Sequence, residues 1–248
     1  FAEQYANYIG HYFPGTDRYQ LYPLPRLMIP DPIHPGKMLS LPSAPNELAL
    51  DAHGMVWFTE FNADALGRLD PRTGRMQHYP LSAKRSVQTL YPYGMNVDPE
   101  GRVWFTEMGS NQIGYLSPAT GQMRFFTLPE LTISPMEIAS DTRRSIWVTV
   151  FTVSLLLRLD PTTGTFTSYY APSLMKEKGG LYGLLITPIG DLWVTMLAEN
   201  ALAHLDVAAN RFTYYHIPMK ESSPFGVAMG TNQTLWFTAL DKIGMLRP

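Results

Sequence analysis

The chain repeats one short phrase five times, a Trp followed by Phe or Val and then by Thr: Trp57-Phe58-Thr59, Trp104-Phe105-Thr106, Trp147-Val148-Thr149, Trp193-Val194-Thr195 and Trp236-Phe237-Thr238. Successive Trp residues lie 47, 43, 46 and 43 positions apart. The aromatic and β-branched residues of the phrase favour a buried strand. A period in the forties with such a strand in each repeat is typical of a β-propeller, in which each repeat forms one four-stranded blade. The sequence therefore predicts an all-β propeller.

Each repeat has further short strands around the Trp strand. A first strand such as Pro45–Leu50 precedes it, and a third strand and an outer strand follow it across turns that carry Asp, Pro and Gly, as in residues 70–74. Five blades are recognisable, and six or seven are expected if upstream residues are missing. The fifth repeat ends after its third strand. We expect the N-terminal chain to supply its outer strand, through residues 37–41 or, less well placed, residues 19–24.

Residues 1–41 allow two interpretations. In the first, residues 1–13 form an amphipathic helix, because Tyr5, Tyr8, Ile9 and Tyr12 have the spacing of one helical face. A Pro-rich linker follows, and the tail resembles the end of an upstream c-type cytochrome domain. In the second, residues 6–24 match residues 63–81 at nine of 19 positions and form two strands of a degenerate extra blade. The first interpretation is slightly favoured, and it divides the chain into a tail (1–41) and a propeller (42–248).

Composition narrows the range of partners. The chain has 19 Lys and Arg against 21 Asp and Glu, for a net charge of −2, which gives no support for a nucleic-acid partner. No apolar run approaches the roughly 18 residues of a membrane-spanning helix, so no transmembrane segment is predicted. Cysteine is absent, which excludes disulfides, thiolate metal sites and covalent haem attachment within these residues. Because the chain starts at Phe1 and not at Met, we expect a segment upstream of it.

Three segments resemble the virginiamycin B lyase (streptogramin lyase) family of β-propellers. They are residues 54–60 (Gly-Met-Val-Trp-Phe-Thr-Glu), residues 101–114, which open with Gly-Arg-Val-Trp-Phe-Thr-Glu, and residues 241–244 (Asp-Lys-Ile-Gly). The resemblance extends over residues 42–248. It implies a seven-bladed propeller that opens a cyclic depsipeptide antibiotic with a His base, a bound Mg²⁺ and Glu residues of the last blades. Members of the family also occur fused behind cytochrome c domains, in agreement with the first interpretation of the tail.

The catalytic residues that the resemblance implies are not retained. Tyr182 and Phe225 stand at the positions of the family's His residues, and Met196 and the Ala239-Leu240 pair stand at those of the metal-binding Glu residues. None of these side chains is a good base near neutral pH or a carboxylate ligand for Mg²⁺. We therefore expect neither catalytic residues nor metal ligands. The sequence leaves enzymatic activity open and favours its absence.

Eight residues are candidates for a binding site at the mouth of the central channel: Glu47, Glu60, Tyr93, Glu107, Met136, Glu137, Tyr182 and Phe225. Four carboxylates around one channel would suit a cation or an amine. The alternative for Glu60 and Glu107 is that they bond backbone amides or water where their strands end. The other four candidates, with Asn46, would form an apolar, aromatic patch that recognises a peptide or a protein, unless they serve only to pack the blades together.

These observations predict a non-catalytic propeller that acts as a binding or protein-interaction domain. We expect it to be exported, periplasmic or secreted, and associated with an electron-transfer assembly, its partner being a protein or an upstream cytochrome c-type domain. The alternative is a diverged lyase or lactonase that acts on a small cyclic ester. No cofactor is expected within the chain, and Ca²⁺ or Mg²⁺ at the four carboxylates is considered but not expected.

Overall fold

The computed structural model describes residues 1–81, 90–129, 134–172, 180–219 and 221–247. Six antiparallel sheets, I to VI, follow one another along the chain, with one hairpin between the first two. Four of the sheets have four strands, and sheets I and VI have three. The one helical element of the described residues is a 3-10 turn at Thr231–Gln233. The predicted all-β propeller is confirmed, with six sheets in place of the five recognisable blades.

The strands are as follows. Sheet I has β1 (Ala2–Glu3), β2 (Tyr8–Phe13) and β3 (Arg18–Pro23), and the hairpin has β4 (Arg26–Pro30) and β5 (Met38–Pro42). Sheet II has β6 (Pro45–Leu50), β7 (Val56–Glu60), β8 (Ala65–Leu69) and β9 (Met76–Pro80). Sheet III has β10 (Pro92–Val97), β11 (Val103–Glu107), β12 (Gln112–Leu116) and β13 (Met123–Thr127). Sheet IV has β14 (Pro135–Ser140), β15 (Ile146–Val150), β16 (Leu155–Asp160) and β17 (Thr165–Tyr170). Sheet V has β18 (Leu181–Ile186), β19 (Leu192–Met196), β20 (Ala201–Asp206) and β21 (Arg211–His216), and sheet VI has β22 (Pro224–Met229), β23 (Leu235–Ala239) and β24 (Lys242–Leu246).

The first strands of sheets II to VI, β6, β10, β14, β18 and β22, line the centre of the propeller. Each of them packs beside the first strand of the next sheet, in chain order. Strand β1 packs against β6 in the way that the second strands of the other sheets pack against the next first strand. Sheet I therefore corresponds to the second, third and outer strands of a blade.

The Trp strands form the second strand of sheets II to VI, as predicted, and the indoles of sheets II to V fill the layers between sheets. Trp57 and Trp104 are fully buried, each among apolar residues of its own and the next sheet. Each indole N–H also donates to an Asp in the turn before its strand, Asp51 at 3.0 Å and Asp98 at 2.7 Å. Because a buried indole N–H needs an acceptor, these Asp residues stabilise the packing that the repeat predicts.

The repeated Thr residues join neighbouring sheets around the centre. The Thr106 hydroxyl accepts the N–H of Gly94 in its own sheet at 2.9 Å and donates to the carbonyl of Met136 in the next sheet at 2.8 Å. Thr59, Thr149 and Thr195 make the same pair of bonds in sheets II, IV and V. Each hydroxyl thus satisfies two backbone groups and fixes the spacing of adjacent first strands.

The N-terminal helix of the favoured interpretation is wrong. Residues 8–13 form β2 and not a helix, and Tyr5, one of the four residues assigned to the apolar helical face, is 91% exposed. The alternative, a degenerate extra blade, is confirmed, with three strands in place of two. Phe1 packs on Gly10 as Phe58 packs on Gly67, since an added Cβ at either glycine would lie 2.0–2.1 Å from the ring. The ring therefore excludes any larger residue and holds the two strands together.

The predicted closure of the last sheet is also wrong. Strand β24 pairs with β23 and with no other described strand, whereas residues 38–42 pair with β4 and residues 18–23 pair with β2. Both candidate segments are thus edge strands elsewhere, β3 in sheet I and β5 in the hairpin that follows it. As a result Trp236, which no later described sheet covers, is 44% exposed. The described residues form a six-sheet propeller that is open after sheet VI.

Candidate functional site

The first strands share a distortion that shapes the centre of the propeller. In each of the five, the pairing with the second strand shifts register after the first residue, between Pro45 and Leu48 in sheet II and at equivalent positions elsewhere. A β-bulge of this kind releases two residues from the regular ladder and redirects their side chains. The released residues are Asn46-Glu47, Tyr93-Gly94, Met136-Glu137, Tyr182-Gly183 and Phe225-Gly226. Seven of the ten carry side chains at the channel mouth or beside it.

Aromatic rings from several sheets meet at the mouth of the channel. The hydroxyl of Tyr93 in sheet III hydrogen-bonds the hydroxyl of Tyr182 in sheet V, and the two rings meet edge to face at 6.1 Å. Tyr182 makes a second edge-to-face contact with Phe225 at 5.0 Å. Phe61 packs against Tyr93, and Phe151 packs against Tyr182. These five residues are called the aromatic mouth below.

Two carboxylates lie on first strands next to those that carry the tyrosines. Glu47 is on β6 of sheet II and Glu137 is on β14 of sheet IV. Burial, together with the negative charge of Glu47, raises the pKa of Glu137 to about 8. Burial also raises the pKa of Glu47, and a hydrogen bond from the backbone N–H of Leu48 partly offsets this rise. We call Glu47 and Glu137 the inner glutamate pair, and at neutral pH the pair holds at least part of one proton.

The tyrosine hydroxyls respond to the same environment. Burial is the largest cause of the raised pKa of Tyr182, followed by the bond with Tyr93 and the charges of Glu137 and Glu47. Burial likewise raises the pKa of Tyr93, although its hydrogen bond to Tyr182 partly offsets the rise. Both phenols therefore stay neutral over the physiological range. One of the two O–H groups is donated to the other phenol, so the two hydroxyls together leave one O–H donor and oxygen lone pairs near the inner glutamate pair.

The other two candidate glutamates do not join the inner pair. Glu60 and Glu107 are each 1% exposed, at the ends of the second strands β7 and β11. Glu60 bonds Nδ1 of His78 on the outer strand of its own sheet at 2.5 Å. Glu107 accepts the Ser110 hydroxyl with one oxygen, and its other oxygen has no hydrogen-bond partner among the described residues. Glu60 and Glu107, the strand-end glutamates, thus have partners within or next to their own sheets, and the predicted convergence of four carboxylates is wrong.

The remaining candidate, Met136, is a packing residue. Its side chain is buried, and its carbonyl is the acceptor for Thr106. Met196 and Ala239, which stand where the lyase resemblance expects carboxylates, are also buried, within apolar clusters of sheets V and VI. Within the described part of the chain, no three His, Cys, Asp or Glu residues are grouped closely enough to hold a metal ion.

Sequence reasoning missed several participants. Phe61 and Phe151 each lie two residues after the Thr of a Trp phrase, and this shared offset was the available signal. The exact repetition of Thr in all five phrases was the signal for the bonds between sheets. His78 gave no signal, because its partner Glu60 lies 18 residues earlier and only the pairing of the strands brings the two together.

A second concave region lies between sheets I and II, away from the channel. It has a volume of about 580 Å³ and an apolar lining that includes Phe1, Ile9, Tyr22, Leu48 and Val56. Sheets II to V each place a Trp in the corresponding layer, and sheet I has none. The cavity is therefore the space that an indole fills elsewhere in the propeller.

No protein-family model matches the sequence, and no curated protein sequence matches it. A streptogramin B lyase structure superimposes with a TM-score of 0.80 at 25% identity, over 98% of this chain and 72% of the lyase chain. Virginiamycin B lyase from Staphylococcus aureus gives 0.77 at 24% identity, over 99% of this chain and 82% of the lyase.

A third similar structure is the extracellular domain of a putative hybrid two-component system from B. thetaiotaomicron. Its TM-score is 0.72 at 15% identity, over 98% of this chain and 30% of that one, and it therefore shows a shared fold alone. No helix in the described part of the chain has the length and hydropathy needed to cross a membrane. The arrangement of the sheets and the two lyase superpositions agree with the resemblance seen in the sequence: the chain is a virginiamycin B lyase-like β-propeller.

Proposed function

We propose that this propeller is a binding domain that holds its ligand at the channel mouth without chemical turnover. The observation that carries the proposal is the convergence of the aromatic mouth with the inner glutamate pair, in a channel rimmed by backbone that the Thr bonds hold rigid. A concave, mostly apolar surface with a few polar groups is the usual form of a binding site. Phe225 is 39% exposed and gives a ligand an accessible ring to stack against.

The state of the polar groups argues against the lyase reaction. A general base near neutral pH needs a pKa close to the working pH, and the pKa of Tyr182 is raised well above its already high ordinary value. Phe225 has no proton to exchange. Met196 and Ala239 are buried in apolar surroundings and supply no oxygen ligand. At these positions the chain thus lacks both the general base and the carboxylate ligands for Mg²⁺ that the lyase resemblance requires.

The remaining parts of the proposal concern partners and location. We propose a protein partner and an exported location, periplasmic or secreted, by analogy with the extracellular propeller of similar fold. An association with a cytochrome c-type domain stays a proposal with less support, because the helical pattern that suggested it belongs to strands of sheet I.

A diverged lyase or lactonase acting on a small cyclic ester is the second candidate function. Two observations favour it: the superposition on a streptogramin B lyase, and a glutamate whose pKa lies near 8 within the channel. A carboxylate with such a pKa is well matched to general base catalysis near neutral pH. In this case Glu137 would take the proton, in place of the family's His.

One experiment separates the two functions. A library of aromatic, peptidic and cyclic-ester fragments is screened by NMR against protein labelled at its Met methyl groups. Each fragment is then recovered, and its mass is measured by mass spectrometry. Binding without turnover predicts shifts at Met136 with unaltered fragments, and loss of those shifts in Tyr182→Ala but not in the exposed control Tyr5→Ala. A cyclic ester recovered in opened form, with opening abolished in Glu137→Gln, would establish the enzyme. Fragments that shift no resonance near the mouth would contradict both.

A further inference from the structure

We propose that the channel mouth binds an organic ammonium group, which the inner glutamate pair holds from two sides while the aromatic mouth surrounds its alkyl part. This inference rests on the proposed binding function and names the chemical class of the ligand. It draws on three separate features of the described residues: carboxylates without a cation, aromatic rings at the same channel mouth, and neutral phenol hydroxyls near the carboxylates.

The first feature is that the two carboxylates have no positively charged partner among the described residues. No Lys, Arg or His among the described residues forms an ion pair with Glu47 or Glu137. No hydrogen bond to the carboxylate of Glu137 is found among those residues, and its side chain is half-buried, which raises its pKa. A buried carboxylate is costly unless it is protonated or paired with a cation. A ligand that carries a positive charge would supply the missing partner.

The second feature is the aromatic surround. Aromatic rings present negative faces that attract ammonium groups, and two or more rings around one cation form the cages that recognise alkylammonium ligands. Tyr93, Tyr182 and Phe225 meet edge to face, at ring separations of 5.0 to 6.1 Å, so that their planes point in different directions. Walls of this kind suit the methylene groups of an amine as well as its charge.

The third feature favours an ammonium over a metal ion. Ca²⁺ takes six to eight oxygen ligands and Mg²⁺ six in a near-ideal octahedron. The mouth offers two carboxylates, two phenol oxygens that are bonded to each other, and the amide of Asn46, which also bonds Tyr93. An ammonium group needs only about three acceptors for its N–H donors. The inner glutamate pair and one phenol oxygen meet that need, and the rings take the place that further oxygens would occupy around a metal.

Binding should be coupled to release of a proton. The free site keeps a proton on the inner glutamate pair near neutral pH, and an ammonium group favours the fully ionised pair. The described groups whose charge acts on the pair are the two glutamates themselves, with the neutral Tyr93 and Tyr182 beside them. Affinity should therefore rise with pH, by up to about tenfold per unit, until the pair is ionised.

The test is isothermal calorimetry with butylammonium as the probe and butanol as its neutral counterpart. At pH 8.5 we expect one site with a dissociation constant on the order of 1 mM, the range open to so small a ligand. Glu137→Gln should weaken binding at least about tenfold. Glu3→Gln, which removes an exposed carboxylate of sheet I, should leave it unchanged. At pH 7, buffers of different ionisation enthalpy should reveal proton release.

Other outcomes overturn the inference in distinguishable ways. If butylammonium and butanol bind equally, or if only the aromatic fragments of the library bind, the ammonium site is wrong and the proposed binding function stands. A 1:1 site for Ca²⁺ that excludes butylammonium would show that the pair serves a metal. If neither the probes nor the fragments act at the mouth, the inference and the proposed function fail together.

Discussion

The inner glutamate pair and the strand-end glutamates occupy repeated positions of the same motif, yet the structure treats them differently. Glu60 and Glu107 are buried at the ends of the second strands, each with a polar partner, His78 or Ser110. Glu47 and Glu137 lie on the first strands, where the charge of Glu47 raises the cost of ionising Glu137. The strand on which a repeated carboxylate lies therefore decides whether it pairs with a polar side chain at a strand end or interacts with another carboxylate at the centre.

The largest expected loss of stability follows from replacing Glu60. Glu60→Ala removes a buried side chain and the hydrogen bond that it makes to His78, whose ring is partly exposed on the outer strand, and we expect a loss of about 2–3 kcal/mol in the free energy of unfolding at pH 6. Urea denaturation provides the measurement. Glu47→Ala is the matched control and should cost less than about 1 kcal/mol. Equal losses in the two variants would show that Glu60 and Glu47 contribute alike to the free energy of unfolding, which contradicts this account.

His78 adds a pH dependence to this effect. Its hydrogen bond and charge interaction with Glu60 raise its pKa in the folded state. A raised folded pKa contributes stability that is fully present below the unfolded value, near 6.5, and is lost as the pH rises through the folded value. The penalty of Glu60→Ala should therefore shrink between pH 6 and pH 9. A penalty independent of pH would show that His78 is not charged in the fold.

A smaller effect is expected for Glu107. Only one of its oxygens has a partner, and burial and the charge of Asp64 raise its pKa. Glu107→Ala should cost about 1–2 kcal/mol through the lost bond to Ser110 and the small cavity. Glu107→Gln keeps the shape and relieves the repulsion from Asp64, so it should change stability by less than about 1 kcal/mol. A glutamine variant as unstable as the alanine variant would show that the charge itself is required.

The last effect is a gain in stability. Because the pKa of Glu137 is raised, the protein loses stability as the pH rises from about 4.5 to about 8, where the folded state gives up a proton that the unfolded state has already lost. A pKa shift of this size corresponds to about 4–5 kcal/mol. Glu137→Gln removes this loss and should be more stable than the parent by an amount of that order at pH 8.5, with little difference at pH 4.5. Thermal unfolding at the two pH values checks this, and a destabilised variant at pH 8.5 would contradict the channel environment.

The sequence predicts most of the fold because its strongest signals are local. The Trp phrase, the turn residues and the short first strands recur at a fixed spacing, and they place the strands of sheets II to VI within a residue or two of where they lie. The sequence alone does not distinguish a helix from strands in residues 1–13. Tyr5, Tyr8, Ile9 and Tyr12 fit a helical face, and the same stretch also pairs as β2. The contact between Phe1 and Gly10 forms only once the strands have paired, so the local pattern of these residues could not reveal it.

The candidate site was less accessible to sequence reasoning. The repeat identifies equivalent residues, so it correctly suggested that Tyr93, Tyr182 and Phe225 share one ring of the channel. It could not indicate the direction of a side chain, because the bulge in each first strand and the burial at each strand end depend on neighbouring sheets. For this reason the sequence predicts one cluster of four glutamates, whereas Glu60 and Glu107 have partners at the ends of their own strands.

The most direct test of the account is a carboxyl-carbon NMR titration of Glu137, because it measures whether the inner glutamate pair shares its environment. We predict a midpoint near pH 8 in the parent protein. That midpoint should fall in Glu47→Gln, which removes the neighbouring charge, and should stay in place in Glu107→Gln, which alters a strand-end glutamate of another sheet. A midpoint of Glu137 in the ordinary range near 4.5, or one that Glu47→Gln leaves unchanged, would contradict the account.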